Sequence, residues 1–210
     1  MDGNKSPKAS VTEVRLVEAA AQCFARSGFK ATKTLEIAIL ADLNEATLFR
    51  YFPRKIDMFF AALDSHLGRI KLSRDLQMSL AADEDPAVVV PKIVEFMLHI
   101  LTTQPQLQHL LHVAGFELPE TGQMIQDHLA PIFEMLTSYF KRSAEKGNMR
   151  NVEPSLTALG LLGAVVAHYQ FRELLTKGCC FPPDLKGATA AYSNLWLHAL
   201  LPDLWRETVA

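Results

Sequence analysis

Between Gly28 and Lys55 the chain reads as two short amphipathic helices joined by a tight turn, and no other segment constrains the fold as much. An apolar helical face of Leu35, Ile37, Ala38 and Ala41 runs into a turn at Asp42-Leu43. A second helix opens at Asn44, whose side-chain oxygen suits the N-cap because it can accept an orphan backbone N–H. It ends on Phe49-Arg50-Tyr51-Phe52-Pro53-Arg54-Lys55, since Pro53 has no N–H with which to continue a helix. This order lays one helix across another and puts aromatic and cationic groups at the far end. A turn between two amphipathic helices is common in all-α proteins, so spacing alone leaves a structural role and DNA binding both open. The string of small, apolar and aromatic positions narrows the choice.

The rest of the chain is helical in period, with neither strand alternation nor internal repeat, which predicts an all-α protein of about nine helices. Ser10-Val11-Thr12-Glu13 is a capping box, so a first helix is expected from there to Ser27, with Leu16, Ala19, Ala20, Cys23 and Phe24 on one face. Gly28 is expected to stop it in the left-handed conformation that glycine tolerates best. Helices are expected at 33–41 and 45–51, then a fourth from Arg54 that reaches Leu80 and buries Phe59, Phe60, Leu63, Leu67 and Ile70. Beyond the polar break Asp83-Glu84-Asp85-Pro86, helices are expected at 87–103, 105–116, 120–146, 154–177 and 184–200.

Charge divides the chain unevenly. Residues 1–55 carry nine Lys/Arg against six Asp/Glu, a net of +3, and residues 56–210 carry twelve against seventeen, a net of −5. A cationic head on an anionic body favours a polyanion at the head. The charge shift near Lys55 marks the expected boundary between a head, 1–55, and a body, 56–210. No apolar stretch opens the chain, so no secretory signal is expected. The longest uncharged run, Pro154 to Phe171, holds Ser155, Thr157, His168 and Gln170 and reads as a buried helix rather than a membrane span. Cys23, Cys179 and Cys180 are too few and too uneven for a disulfide framework, which suits a reducing cytoplasm.

B-form DNA admits one helix into its major groove, and the N-terminal end of that helix usually reaches the bases. Here that end is Asn44-Glu45-Ala46-Thr47. Ala46 lets the backbone come close, and Thr47 offers a hydroxyl or a methyl. Glu45 is unfavourable near phosphates unless it accepts from a cytosine amino group. Leu48 is expected to point inward as an anchor. Arg50 is the best charged reader or phosphate clamp on this helix, and Lys55 sits in the first turn of the next, where helix N–H groups favour a phosphate. Phe49 and Phe52 suit packing more than contact.

Over about residues 15–60 the chain resembles the TetR family of bacterial transcriptional repressors. Leu16-Val17, Ala20, Phe24, Gly28-Phe29 and Thr32 are similar to that family's first-helix signature. Ile37-Ala38, Ala41, Leu43, Thr47-Leu48-Phe49, Tyr51-Phe52 and Lys55 are similar to its reading head. The resemblance implies an all-helical homodimer with a three-helix N-terminal head and a larger, divergent ligand-binding and dimerisation body. It implies that Phe49, Arg50, Tyr51 and Lys55 stand where family members touch phosphates, and Glu45, Ala46 and Thr47 where they approach bases. Some positions depart from the pattern. Lys33 takes the place of a usual Ser or Thr cap, so Thr32 is expected to cap one residue early while Lys33 adds a phosphate contact. Thr34 replaces an apolar residue, Asp42 a turn glycine, and Asn44 a Ser or Thr whose capping role it keeps. Phe49 replaces a Tyr and lacks its hydroxyl.

In the body, Gly160, Gly163, Ala164 and Ala167 form a small-residue strip at helical spacing, and Leu185, Ala188, Tyr192, Leu195, Trp196 and Ala199 supply a matching face. In the TetR family two C-terminal helices of each subunit form a four-helix interface, and these segments fit that place; the competing reading is an intrasubunit core. The helix at 120–146 is apolar on two sides, as a pocket-lining helix would be. Met97, Phe116, Phe133 and Phe171 are expected around an apolar effector cavity, with His112, His128 and His168 to orient a polar group. Cys179-Cys180 offers a candidate thiol sensor. No metal ligand set and no cofactor motif stands out. The expected function is a cytoplasmic, ligand-responsive repressor released from a palindromic double-stranded DNA operator by a small, largely apolar effector. Neither a membrane partner nor enzymatic activity is expected. The alternatives are an all-helical enzyme, for which no nucleophile or phosphate-loop motif is found, and a protein-interaction scaffold.

Overall fold

The structure, a computed structural model, describes residues 10–174 and 185–201. Among the described residues there are ten α-helices, a single 3-10 turn and no strand. The extra helix arises where one long fourth helix was expected. Helix α4, Lys55–Leu67, stops at Gly68, and Ser73 starts α5, Arg74–Ala81, by accepting the Leu76 N–H on its side chain at 3.2 Å. Glycine weakens a helix interior and serine favours a cap, so the apolar period carries on while the backbone does not. Cys179 and Cys180 lie outside the described residues.

By internal packing the chain forms two compact units, Met1–Arg69 with Gln104–Gln126, and Ile70–Thr103 with Asp127–Ala210. The first contains α1 (Val11–Ala31), α2 (Thr34–Leu40), α3 (Glu45–Tyr51), α4 and α7 (Pro105–Glu117). Ser10 caps α1 by accepting the Glu13 N–H at 3.1 Å. The buried stripe of α1 (Leu16, Ala19, Ala20, Cys23, Phe24) packs on α2, α4 and α7. The core of this unit is an aromatic cluster: Phe24, Phe29 and Phe59 stand 5.2 to 5.8 Å apart between ring centroids, two of the three pairs edge to face. Such pairs add about 0.5–1.5 kcal/mol each beyond area burial.

In the second unit α6, Pro86–Thr103, is the central helix and packs against α5, α9 (Pro154–Leu174) and α10 (Leu185–Leu200). Among the described residues α6 is the one helix long and apolar enough to cross a membrane. Its apolar side is used inside the unit, with Val89, Val90, Ile93, Val94, Phe96, Leu98 and Leu101 buried. Its Lys92 is paired with Asp75 at 2.9 Å and Glu84 at 3.7 Å. Helix α8, Gly122–Glu145, adds Arg142, which with Lys146 holds the Asp83 carboxylate at 2.7 and 2.6 Å. Those two cations keep the Asp83 carboxyl below the usual carboxylate range. Tyr139 of α8 donates to the Glu84 carbonyl at 2.8 Å, and burial pushes its phenol up.

Candidate nucleic-acid interface

The turn at Asp42 closes as a Schellman motif. The Leu43 N–H bonds the Ala38 carbonyl at 2.9 Å and the Asp42 N–H bonds the Ile39 carbonyl at 3.0 Å. Asp42 itself has φ 54°, a region that costs a non-glycine residue about 1 kcal/mol or more. Arg15 of α1 offsets that cost. Its guanidinium donates to the Ala41 carbonyl and reaches the Asp42 carboxylate at 3.3 Å. Arg15 was missed in the sequence because its partner lies 27 residues away, in a turn whose carbonyl directions a periodicity does not show.

Helix α3 starts as expected: the Asn44 side chain accepts the Thr47 N–H at 2.7 Å. Leu48 is fully buried, and Phe52 is buried beside it. With that face anchored, Asn44, Ala46, Phe49 and Arg50 are exposed, while Glu45, Thr47 and Tyr51 are half-buried. The Arg50 guanidinium lies 5.6 Å from the Tyr51 ring centre. Glu45 is not a bare surface charge, because its carboxylate accepts from the Thr34 hydroxyl. The two helices of the motif are thereby strapped together, and the polar residue that departs from the family's apolar habit at 34 has a partner.

Helix α2 is capped at Lys33, which is exposed and makes no side-chain cap bond. Thr32 does not cap it. Thr32 is 2% exposed, and its hydroxyl sits between the carbonyls of Gly28 (2.7 Å) and Cys23 (3.1 Å), closing the end of α1 instead. Leu35, read as part of the buried face, is half exposed; it lies roughly opposite Ile37, which is buried with Ala38 and Ala41. Lys55, at the start of α4, is half-buried; its ammonium lies 3.3 Å from the Lys30 carbonyl and 4.7 Å from the Phe29 ring centre. Burial lowers the Lys55 pKa, and the nearby Glu117 charge opposes that shift. Its neighbour Arg54 is held by Asp57 at 2.6 Å, which draws the Asp57 carboxyl below its usual range.

The expected effector residues divide between the two units. His112 and Phe116 belong to the first, where the two rings stack with centroids 6.4 Å apart and Phe116 is 86% exposed. Met97, His128, Phe133, His168 and Phe171 belong to the second. Met97, His128 and Phe133 are half-buried there, and His168 is buried with its ring edge to face with Tyr192 at 5.4 Å. Phe171 is half exposed.

The expected dimer residues also have two environments. A Cβ added at Gly160 would stand 3.0 Å from the Trp196 ring, so Gly160 and Trp196 meet within one subunit. Gly163 has nothing within 4 Å of that position, Leu195 is 60% exposed, and Ala199 is exposed. Ala164, Ala167 and Tyr192 are half-buried. Leu156 and Leu159 share the exposed side of α9 with Gly163; their spacing of three and four residues was the signal available in the sequence.

An all-helical chain that anchors a short second helix on a buried leucine and turns its N-terminal end outward belongs to the helix-turn-helix class of DNA-binding proteins. Residues 16–62 match the sequence model of the bacterial regulatory proteins of the tetR family. YvkB of Bacillus subtilis (strain 168), an uncharacterised HTH-type transcriptional regulator, is 29% identical over 144 residues, 65% of this chain and 69% of that protein. The nucleoid occlusion factor SlmA of Pasteurella multocida (strain Pm70) is 26% identical over 149 residues, 68% of this chain and 72% of that one. In fold, the chain is similar to the fatty acid degradation regulator FadR from Bacillus halodurans, with a TM-score of 0.68 and 19% identity over 91% of this chain and 97% of that one. Residues 16–62 are thus a DNA-binding head of the tetR-family type, and the chain is a DNA-binding transcriptional regulator.

Proposed function

We propose that the protein acts as a homodimeric repressor that reads a palindromic operator with two copies of α3 and leaves it when a small, largely apolar effector occupies the body. It works by binding alone, in the cytoplasm where its operator lies. The single observation that carries the DNA reading is the outward end of α3: Leu48 is fully buried, while Asn44, Ala46, Phe49 and Arg50 are exposed. Ala46 and Thr47 approach bases. Lys33, Phe49, Arg50, Tyr51 and Lys55 meet the phosphate backbone. Glu45, tied to Thr34, orients the head rather than reading a base. One head makes too few contacts for a specific site, and two heads related by a dyad supply the second half-site. The exposed apolar positions Leu156, Leu159 and Leu195, with the open Gly163 on the same side of α9 as Leu159, support a subunit interface on α9 and α10. The effector can release the operator only by as much as its affinity differs between the two states of the dimer.

Selection of genomic fragments by the purified protein tests this reading. A palindrome upstream of genes is the expected product, and the Arg50→Ala, Lys55→Ala double variant should lose it at moderate salt, with a shallower salt dependence by about two phosphates. Selection of no fragment, or a double variant that binds as the parent does, overturns the reading.

A further inference from the structure

Glu117, the last residue of α7, is used neither by the reading head nor by the hydrophobic core. Its two carboxylate oxygens accept successive backbone N–H groups at the end of α1, from Phe29 at 3.2 Å and from Lys30 at 3.0 Å. Gly28, just before them, has φ 77° and ψ 172°, a conformation essentially restricted to glycine, and it breaks the helix there. A Cβ at Gly28 would stand 2.7 Å from Glu117 Oε1, so the carboxylate occupies the space that glycine leaves. The kink frees the Phe29 and Lys30 amides from α1, and such donors need a partner. A carboxylate taking both makes two charge-assisted bonds, the stronger kind. The same short stretch is held from other sides. The Thr32 hydroxyl closes on the Gly28 carbonyl, and the Lys55 ammonium lies against the Lys30 carbonyl and the Phe29 ring.

We propose that Glu117 is a positioning residue for DNA binding: it fixes the corner between α1 and α2, and through Phe29 and Lys30 it sets where the Lys55 ammonium and the Lys33 start of α2 stand against the duplex. The inference rests on the DNA-binding reading and deepens it, since it adds to the head a residue that lies 62 positions beyond Lys55 in the chain. A carboxylate beside Lys55 is electrostatically wrong for a phosphate contact, which is why its effect discriminates. Charge alone predicts that removing Glu117 tightens DNA binding. Positioning predicts that removing it weakens binding.

The test uses the full-length protein and a fluorescein-labelled mixed-sequence duplex, titrated by anisotropy at several salt concentrations. Glu117→Ala is expected to weaken binding about tenfold and to reduce the salt slope by about one, the signature of a lost phosphate contact. Glu117→Gln keeps one acceptor and the side-chain shape, and is expected to fall between the two. Amide exchange supplies a readout independent of DNA: the Phe29 and Lys30 amides are expected to be protected in the parent, only one of them in Glu117→Gln, and neither in Glu117→Ala. If Glu117→Ala fails to fold, Glu117→Gln still decides. Binding by either variant that equals or exceeds the parent's, with an unchanged salt slope, overturns the inference alone. A parent that ignores the duplex at low salt overturns the DNA-binding reading, and this inference with it.

Discussion

Replacing Gly28 with alanine tests the corner from its other side, through stability. Two costs follow from the geometry. At φ 77° and ψ 172° an L-residue is strained by about 1–3 kcal/mol. The new Cβ would lie 2.7 Å from Glu117 Oε1. That oxygen ends a flexible side chain, so it swings away, and the cost is the two amide bonds rather than a hard overlap. Bonds to a charged acceptor are worth about 1.5–3 kcal/mol. Water reaches the exposed Lys30 side and replaces part of that, leaving about 1 kcal/mol for the pair. Alanine also restricts the unfolded chain, which returns about 0.4–1 kcal/mol. The net expectation is a destabilisation of about 1–3.5 kcal/mol, or a fall in Tm of roughly 2–14 °C for a chain of this size. Thermal and urea unfolding followed by far-UV circular dichroism measure it. The decisive comparison is a double-mutant cycle with Glu117→Ala. In that background the carboxylate is gone, so Gly28→Ala should cost only its backbone strain, and the two changes should couple by about 1 kcal/mol. An equal cost of Gly28→Ala in both backgrounds would refute the seating of Glu117, and a cost below about 0.5 kcal/mol would refute the strain as well.

Two further outcomes are expected. His66 is buried on α4 with Nδ1 3.2 Å from the Gln104 oxygen; burial lowers its pKa, with Gln104 and Glu18 opposing and Arg69 adding to the shift. The folded pKa therefore lies below the unfolded value of about 6.5, so stability is full above that pH and declines as pH falls through it towards the folded pKa. A Tm that drops between neutral and mildly acidic buffer in the parent, but drops less in His66→Gln, is the expected result; equal slopes would show that another group titrates. At the proposed interface, Leu159→Glu with Leu195→Glu puts charge on two exposed apolar positions of α9 and α10. Sedimentation should change from dimer to monomer with helicity retained, and a dimer that survives both changes is built elsewhere.

The reading head was legible in advance because its signals are local. Asn44 caps α3 by accepting from Thr47 three residues on, Pro53 follows its end, and Asp42 takes the turn that bonds back to Ile39, while the helical period alone marks Leu48 as the anchor. Where partners are distant the reading failed or was silent. The α4 helix ends at Leu67 although the apolar period continues, because Gly68 and the Ser73 cap outweigh it. Thr32 turned inward to the end of α1 rather than capping α2, its hydroxyl donating to the Gly28 and Cys23 carbonyls. Gly28 was expected in the left-handed conformation; it has the positive φ, but with ψ extended at 172°.

Helix content and the helix-turn-helix with its family likeness were determined by the amino-acid sequence, because periodicity, caps and turn residues act along a few residues of backbone. The tertiary structure alone decided that Arg15 holds the Asp42 turn, that Thr34 and Glu45 strap the two helices, and that a carboxylate from α7 seats the end of α1. Those pairings depend on the direction of single polar groups between residues 11 to 88 positions apart, and such directions exist only once the helices have packed.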